Sequence, residues 1–91
     1  MMQGTLPFPD PHPPAVACYR PDGTRLLLAL DGIQGYWPTE NAAWLHVKMS
    51  LGKEPILVVA TMEQMDAAIA ACMKLHPAVR LRPELRRVLG L

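Results

Sequence analysis

The sequence predicts an α+β domain: a small, mainly antiparallel sheet of four to five strands with one main helix on a face and a short C-terminal helix. Three observations predict this class. An apolar, β-branched run at 56–60 stops at Thr61, and Gln64 follows three residues later, as in a helix capping box. Residues 65–75 contain neither Gly nor Pro, as a helix favours. Upstream, strand-like segments are separated by turn signals.

The first hairpin is predicted over residues 15–30. Residues 15–20 form one strand, and 24–30 form the returning strand. Between them, Pro21 presets φ, Asp22 bonds its local backbone, and Gly23 accepts a positive φ. Residues 26–30 show no polar alternation, which indicates either burial on both faces or a seam with a partner molecule.

Further strands are predicted downstream. Residues 33–37 read as a short or irregular strand, weakened by Gly35 and ended by Pro38. Residues 43–49 alternate and pair as a hairpin with 56–60. One face of 43–49 carries the apolar residues Leu45, Val47 and Met49, and the other carries Trp44, His46 and Lys48.

Two helices follow. The main helix, 61–75, places a broad apolar stripe on one side, consisting of Met62, Met65, Ile69, Cys72 and Met73. His76 and Pro77 end it. A short helix is predicted over 83–89, because Pro83 suits a first turn and Gly90 suits a helix exit.

The chain divides into three segments. A proline-rich, extended tail covers 1–14, the sheet-plus-helix core covers 15–75, and a basic segment covers 76–91, with four arginines against one glutamate. No apolar run approaches the roughly 20 residues of a membrane span. No secretory signal pattern is present, so we expect a cytoplasmic protein with no membrane association. Cys18 and Cys72 are expected to be buried and reduced, although one long-range disulfide is the alternative.

Chemical motifs are missing from the sequence. We find no nucleophile elbow, phosphate loop or dinucleotide fingerprint, so we predict no catalytic residues, no cofactor and no enzymatic activity. His46 could act as a general base, but no nucleophile or carboxylate is paired with it by spacing. Zinc is the chemical alternative. Cys72 and His76 share a helix face, and His46 or Cys18 could join them, yet a closed site needs four convergent ligands.

The best candidate for a binding surface is the aromatic group around the loop at 38–43. The group consists of Tyr36, Trp37 and Trp44. The two tryptophans flank the loop, and Trp44 shares its strand face with His46 and Lys48 rather than with the apolar side. Exposed tryptophans are typical anchors of protein interfaces. The alternative is that these rings cover a second small core formed with the proline-rich tail.

The basic segment supplies the second candidate surface. Its four arginines are expected to point outward while Val79, Leu81 and the apolar side of the last helix face inward; they are Arg80, Arg82, Arg86 and Arg87. Outward guanidinium groups suit an acidic protein surface or a phosphate backbone. The sequence therefore favours a non-enzymatic protein-interaction module, a regulator, adaptor or inhibitor that either docks on a larger assembly or self-associates as a homo-oligomer. The alternative is a regulator that contacts nucleic acid through these arginines.

Overall fold

The computed structural model describes residues 6–10 and 13–91 and confirms the α+β class. The described part of the chain forms six strands and two helices. In chain order they are β1 (Phe8–Pro9), β2 (Ala15–Tyr19), β3 (Arg25–Ala29), β4 (Ile33–Pro38), β5 (Trp44–Met49), β6 (Ile56–Val59), α1 (Met62–Leu75) and α2 (Pro83–Leu89). Neither helix has the length and apolar character needed to cross a bilayer, as far as the described residues show.

The strands form two antiparallel sheets of three strands each, in the orders β1–β2–β3 and β4–β5–β6. The prediction of one sheet with four to five strands therefore matches only roughly. Two features account for the difference. A 3-10 turn at Leu30–Gly32 interrupts the chain between β3 and β4, and the proline-rich tail contributes β1. Pro9 is tolerated there because β1 is an edge strand, where a missing N–H costs no ladder bond.

The first hairpin forms as predicted. The Asp22 carboxylate accepts a hydrogen bond from the Thr24 N–H (2.8 Å), and Gly23 adopts a φ of +92°. The prediction that residues 26–30 are buried on both faces was wrong, however. Leu28 is buried, whereas Leu27 is 48% exposed, because only one face of β3 packs against the core.

The second sheet shows the predicted alternation. Leu45 and Val47 are buried, whereas Trp44 and His46 on the opposite face are only partly buried. A bulge interrupts the pairing of β4 with β5 between Ile33 and Gly35, as the weak strand pattern around the glycine indicated.

The core lies between the two sheets and α1. The buried face of α1 consists of Met65, Ala68, Ile69 and Cys72, and Leu85 of α2 joins the same cluster. The Tyr36 hydroxyl donates a hydrogen bond to the Asp66 carboxylate, which ties β4 to α1. The predicted apolar stripe of the main helix is confirmed.

The capping box at the start of α1 is also confirmed. The Gln64 N–H donates to the Thr61 hydroxyl (3.1 Å), and the Thr61 N–H donates to the Gln64 side-chain oxygen (2.9 Å). We expect Thr61→Ala to lower the free energy of unfolding by about 1 kcal/mol, because the side-chain acceptor is lost. Urea unfolding followed by circular dichroism measures this change. Thr61→Ser keeps the acceptor and should be close to wild type; equal losses in both variants would contradict the role of the cap.

Candidate interaction surfaces

The outer face of the second sheet carries the predicted aromatic group. A groove of about 600 Å³ opens there, and we call it the aromatic groove. Its walls are strand residues on one side and the β4–β5 loop on the other; they are Trp37, Pro38, Thr39, Glu40, Asn41, Trp44, His46 and Leu57. Both tryptophans of the chain therefore lie at a single site.

Strand register brings these side chains together. Trp37 on β4 pairs with His46 on β5, and His46 pairs in turn with Leu57 on β6. The rings of Trp37 and His46 lie 5.7 Å apart between centroids, tilted by 37°. Trp37 remains 42% exposed, so an aromatic surface faces solvent in the described structure. Tyr36 was predicted to belong to this surface, but it is buried, because its side chain points to the core and its hydroxyl binds Asp66 of α1.

The loop beside the groove is held by its own hydrogen bonds. The Thr39 hydroxyl accepts from the Asn41 N–H (3.0 Å) and donates to the Asn41 carbonyl (2.8 Å). The Asn41 side chain accepts from the Ala43 N–H (2.9 Å). These short-range turns leave the Glu40 carboxylate exposed at the rim of the groove.

Lys48 was predicted to belong to the same surface, but it does not line the groove. Its ammonium group donates to the carbonyls of Met49 and Gly52. The side chain therefore closes the β5–β6 turn.

The arginines of the basic segment divide into two sets. Arg80 and Arg86 line a second groove of about 640 Å³, which we call the basic groove, and Arg87 lines a depression beside it. The remaining walls of the basic groove are mostly apolar: Met73, Val79, Leu81, Pro83 and Leu91. Val79 and Leu81 pack against the core as predicted, so the guanidinium groups surround an apolar floor.

Arg82 differs from the prediction of four outward arginines. It is only partly exposed, and its Nε is buried with no hydrogen-bond partner in the described part of the protein. It lines a separate depression with Asp31 and Ser50, near the 3-10 turn. Arg82 precedes Pro83 as the first residue outside α2, so the helix start directs it toward the body of the domain.

A cleft that the sequence patterns did not predict lies between the two helices. It measures about 520 Å³ and is lined largely by apolar side chains; its walls are Asp66, Ala70, Met73, Lys74, Val88, Leu89 and Leu91. The sequence signal for this cleft is the series of alanines on α1 at positions 67, 68, 70 and 71, because small side chains let a second helix approach closely and leave open space between the helices.

The residues named for the zinc alternative do not converge within the described part of the chain. The Cys72 thiol points to the Ala15 carbonyl (3.4 Å), and a His76 ring nitrogen lies 3.1 Å from the Asp10 carbonyl. His46 lies in the aromatic groove, on another face of the domain. Within residues 6–10 and 13–91, no three His, Cys, Asp or Glu side chains converge on a common point.

The two thiols are buried and unlinked. Burial raises the pKa of the Cys18 thiol from its ordinary 9.0 to about 12, so this thiol stays protonated and unreactive at neutral pH. Burial, followed by the nearby Asp10 carboxylate, also raises the pKa of Cys72.

Comparisons with protein-family models, with curated proteins and with solved structures show no significant match.

Proposed function

We propose that this protein is a non-enzymatic protein-interaction module that docks a partner in the aromatic groove. The observation that carries the proposal is the exposure of Trp37 beside Trp44, His46 and Leu57 on the outer face of the second sheet. Large aromatic side chains on a fixed scaffold contribute strongly to protein binding because they bury much area at little entropic cost. The unlinked cysteines are compatible with the expected cytoplasmic location.

The chemistry of the groove favours a protein over a nucleic acid at this face. Its only charged wall residue is Glu40, which would repel a phosphate backbone. An apolar segment with a basic side chain would stack on the tryptophans and pair with this carboxylate.

The basic groove suits an acidic, partly apolar segment of the same partner. Arg80 and Arg86 flank a floor that contains Val79 and Leu81, so charge and apolar contact are offered side by side. Guanidinium groups bind carboxylates in bidentate geometry. Nucleic-acid binding through these arginines is the competing function.

A substitution series tests the aromatic groove. We expect Trp37→Ala to weaken partner binding by about 2 kcal/mol, or about thirtyfold, as for truncation of an interface anchor. Leu51→Ala is the matched control, because Leu51 lies fully exposed in the β5–β6 turn, outside the groove. Proteins retained from host lysate by the wild type and the control, but lost from Trp37→Ala, are then purified and titrated. Equal affinity of all three proteins for every retained partner would contradict the proposal.

A spectroscopic measurement locates the contact directly. The chain has two tryptophans, so protein labelled with fluorotryptophan gives two fluorine resonances, both from the groove. A partner docked there should shift both of them. A saturating partner that leaves both resonances unchanged binds elsewhere.

The triple variant Arg80→Ala, Arg86→Ala, Arg87→Ala separates the two functions. We expect it to fold and to bind the protein partner more weakly, with less dependence on salt. If it keeps full partner affinity and instead loses a salt-sensitive affinity for generic DNA or RNA, the nucleic-acid function is correct.

A further inference from the structure

The first sheet ends in an open edge at β3. At one end of its pairing with β2, the Leu30 N–H donates a hydrogen bond to the Pro14 carbonyl (2.8 Å). At the other end, the Arg20 N–H donates to the Thr24 carbonyl (2.9 Å), so the hydrogen-bonded residues at both ends of β3 have even numbers. Along an antiparallel pair, residues point their backbone N–H and C=O groups alternately toward the partner strand and away from it, so residues 26, 28 and 30 direct these groups toward β2. The N–H and C=O groups that point away from β2 belong to Arg25, Leu27 and Ala29.

β3 is the last strand of the sheet, whose order is β1–β2–β3, and no described strand pairs with its outer edge. β3 also lacks the usual protection of edge strands: it contains no proline and no bulge. Its one charge, Arg25, lies 3.9 Å from the Asp10 carboxylate and over the Phe8 ring. The charge is therefore partly compensated within its own chain.

An apolar row crosses the outer side of this sheet and ends at the open edge. Phe8 pairs with Ala17, and Ala17 pairs with Leu27, so the three side chains are aligned across three strands. Phe8 and Leu27 are both exposed, while the small Ala17 between them is fully covered. The row and the free backbone groups thus meet at one residue, Leu27.

We propose that two copies of this chain associate by antiparallel pairing of their β3 strands, with Leu27 of each copy opposite Leu27 of the other. In this register Arg25 of each copy lies opposite Ala29 of the other, so the two arginines do not face each other. Asp31 follows two residues after Ala29 in the same copy. Each of the three residue pairs exchanges two backbone hydrogen bonds. The apolar row then continues without interruption from Phe8 of one copy to Phe8 of the other.

Self-complementarity is what selects a second copy as the occupant. A two-fold axis through Leu27 satisfies every outward backbone group of β3, continues the apolar row and places Arg25 opposite the small Ala29, so the side chains of β3 are complementary to a second copy of themselves. The interface is also distinct from the aromatic groove, which lies on the second sheet. Success or failure of partner docking there leaves this proposal unaffected.

Analytical ultracentrifugation over a wide concentration range is the first test. We expect a dimer for the wild type and at least about tenfold weaker association for Leu27→Lys, because two ammonium groups would then face each other at the axis. Leu75→Lys is the matched control, since Leu75 on α1 is 53% exposed, close to the 48% of Leu27. It should dimerise like the wild type.

Cysteine cross-linking tests the register and does not depend on the lysine variant. Opposed residues in a hydrogen-bonded pair have Cα atoms about 5.5 Å apart, within the range of a disulfide. With oxidised glutathione as the oxidant, Leu27→Cys should form a disulfide-linked dimer, and Leu75→Cys should not. Arg25→Cys should cross-link to Ala29→Cys in a mixture, but not to itself. The native Cys18 and Cys72 are fully buried and should not interfere.

Three results would overturn the proposal. One is a monomeric mass for the wild type at all concentrations. Another is a dimer that Leu27→Lys and Leu75→Lys weaken equally. The third is cross-linking of Leu27→Cys no greater than that of Leu75→Cys.

Discussion

Ile69→Asp is expected to abolish cooperative folding. Ile69 is fully buried on the inner face of α1, in one cluster with Val47 and Leu28. Removal of a large aliphatic side chain from a core costs about 2–5 kcal/mol. An unpaired carboxylate in the same place adds several kcal/mol. Small domains have only about 5–15 kcal/mol of stability to lose, so the variant should show no unfolding transition by calorimetry or circular dichroism.

Ala67→Asp is the matched control for this experiment. It introduces the same side chain into the same helix, but Ala67 is exposed, so the melting transition should be close to that of the wild type. Ile69→Val should cost only about 1 kcal/mol, because it removes one methylene. A cooperatively melting Ile69→Asp protein would show that this helix face does not pack in the core.

High pH is expected to destabilise the fold because three buried acidic groups, the thiols of Cys18 and Cys72 and the phenol of Tyr36, release their protons more readily from the unfolded chain. Burial raises the pKa of Cys18 from 9.0 to about 12. Burial, together with the hydrogen bond to Asp66, raises the pKa of Tyr36 above its ordinary 10.0. Above pH 9 the unfolded thiol ionises while the folded thiol keeps its proton, so the unfolded state binds fewer protons. The free energy of unfolding should therefore fall by about 1.4 kcal/mol per pH unit for this group between pH 9 and about 12.

Urea unfolding at a series of alkaline pH values measures this slope. Cys18→Ala removes the titrating thiol and should give a shallower slope than the wild type over the same range. Tyr36→Phe should also give a shallower slope, but only above about pH 10. If neither substitution changes the slope of the free energy of unfolding against pH, this explanation is wrong, whatever the absolute stability of the variants.

Much of the local structure followed from the sequence because it depends on neighbouring residues. The capping box of Thr61 and Gln64 and the turn at Asp22 and Gly23 involve residues two or three positions apart. The alternation around Leu45 fixed which side of β5 faces the core. The Pro83 start and the Gly90 exit of α2, with its φ of +77°, are equally local.

The candidate surfaces were predicted only in part. Trp37, Trp44 and His46 lie together as expected, because β4 and β5 are adjacent strands joined by a short loop. Lys48 does not line their groove, because its flexible side chain binds carbonyls of the next turn. Arg82 is turned inward, because the start of α2 is set by the packing of Leu85 in the core. The packing of Leu85 joins segments that are far apart in the chain, and such a contact leaves no local pattern in the sequence.

The sequence by itself determined the α+β class, the hairpins, the capped helix and the aromatic group, since periodicity and turn chemistry are properties of short segments. Only the tertiary structure decided that the strands divide into two sheets and that β1 joins the first of them. It also decided that β3 ends that sheet with Leu27 exposed. Strand partners are chosen by burial and hydrogen bonding between residues far apart in the chain, and these energies depend on the whole fold rather than on the pattern of any one strand.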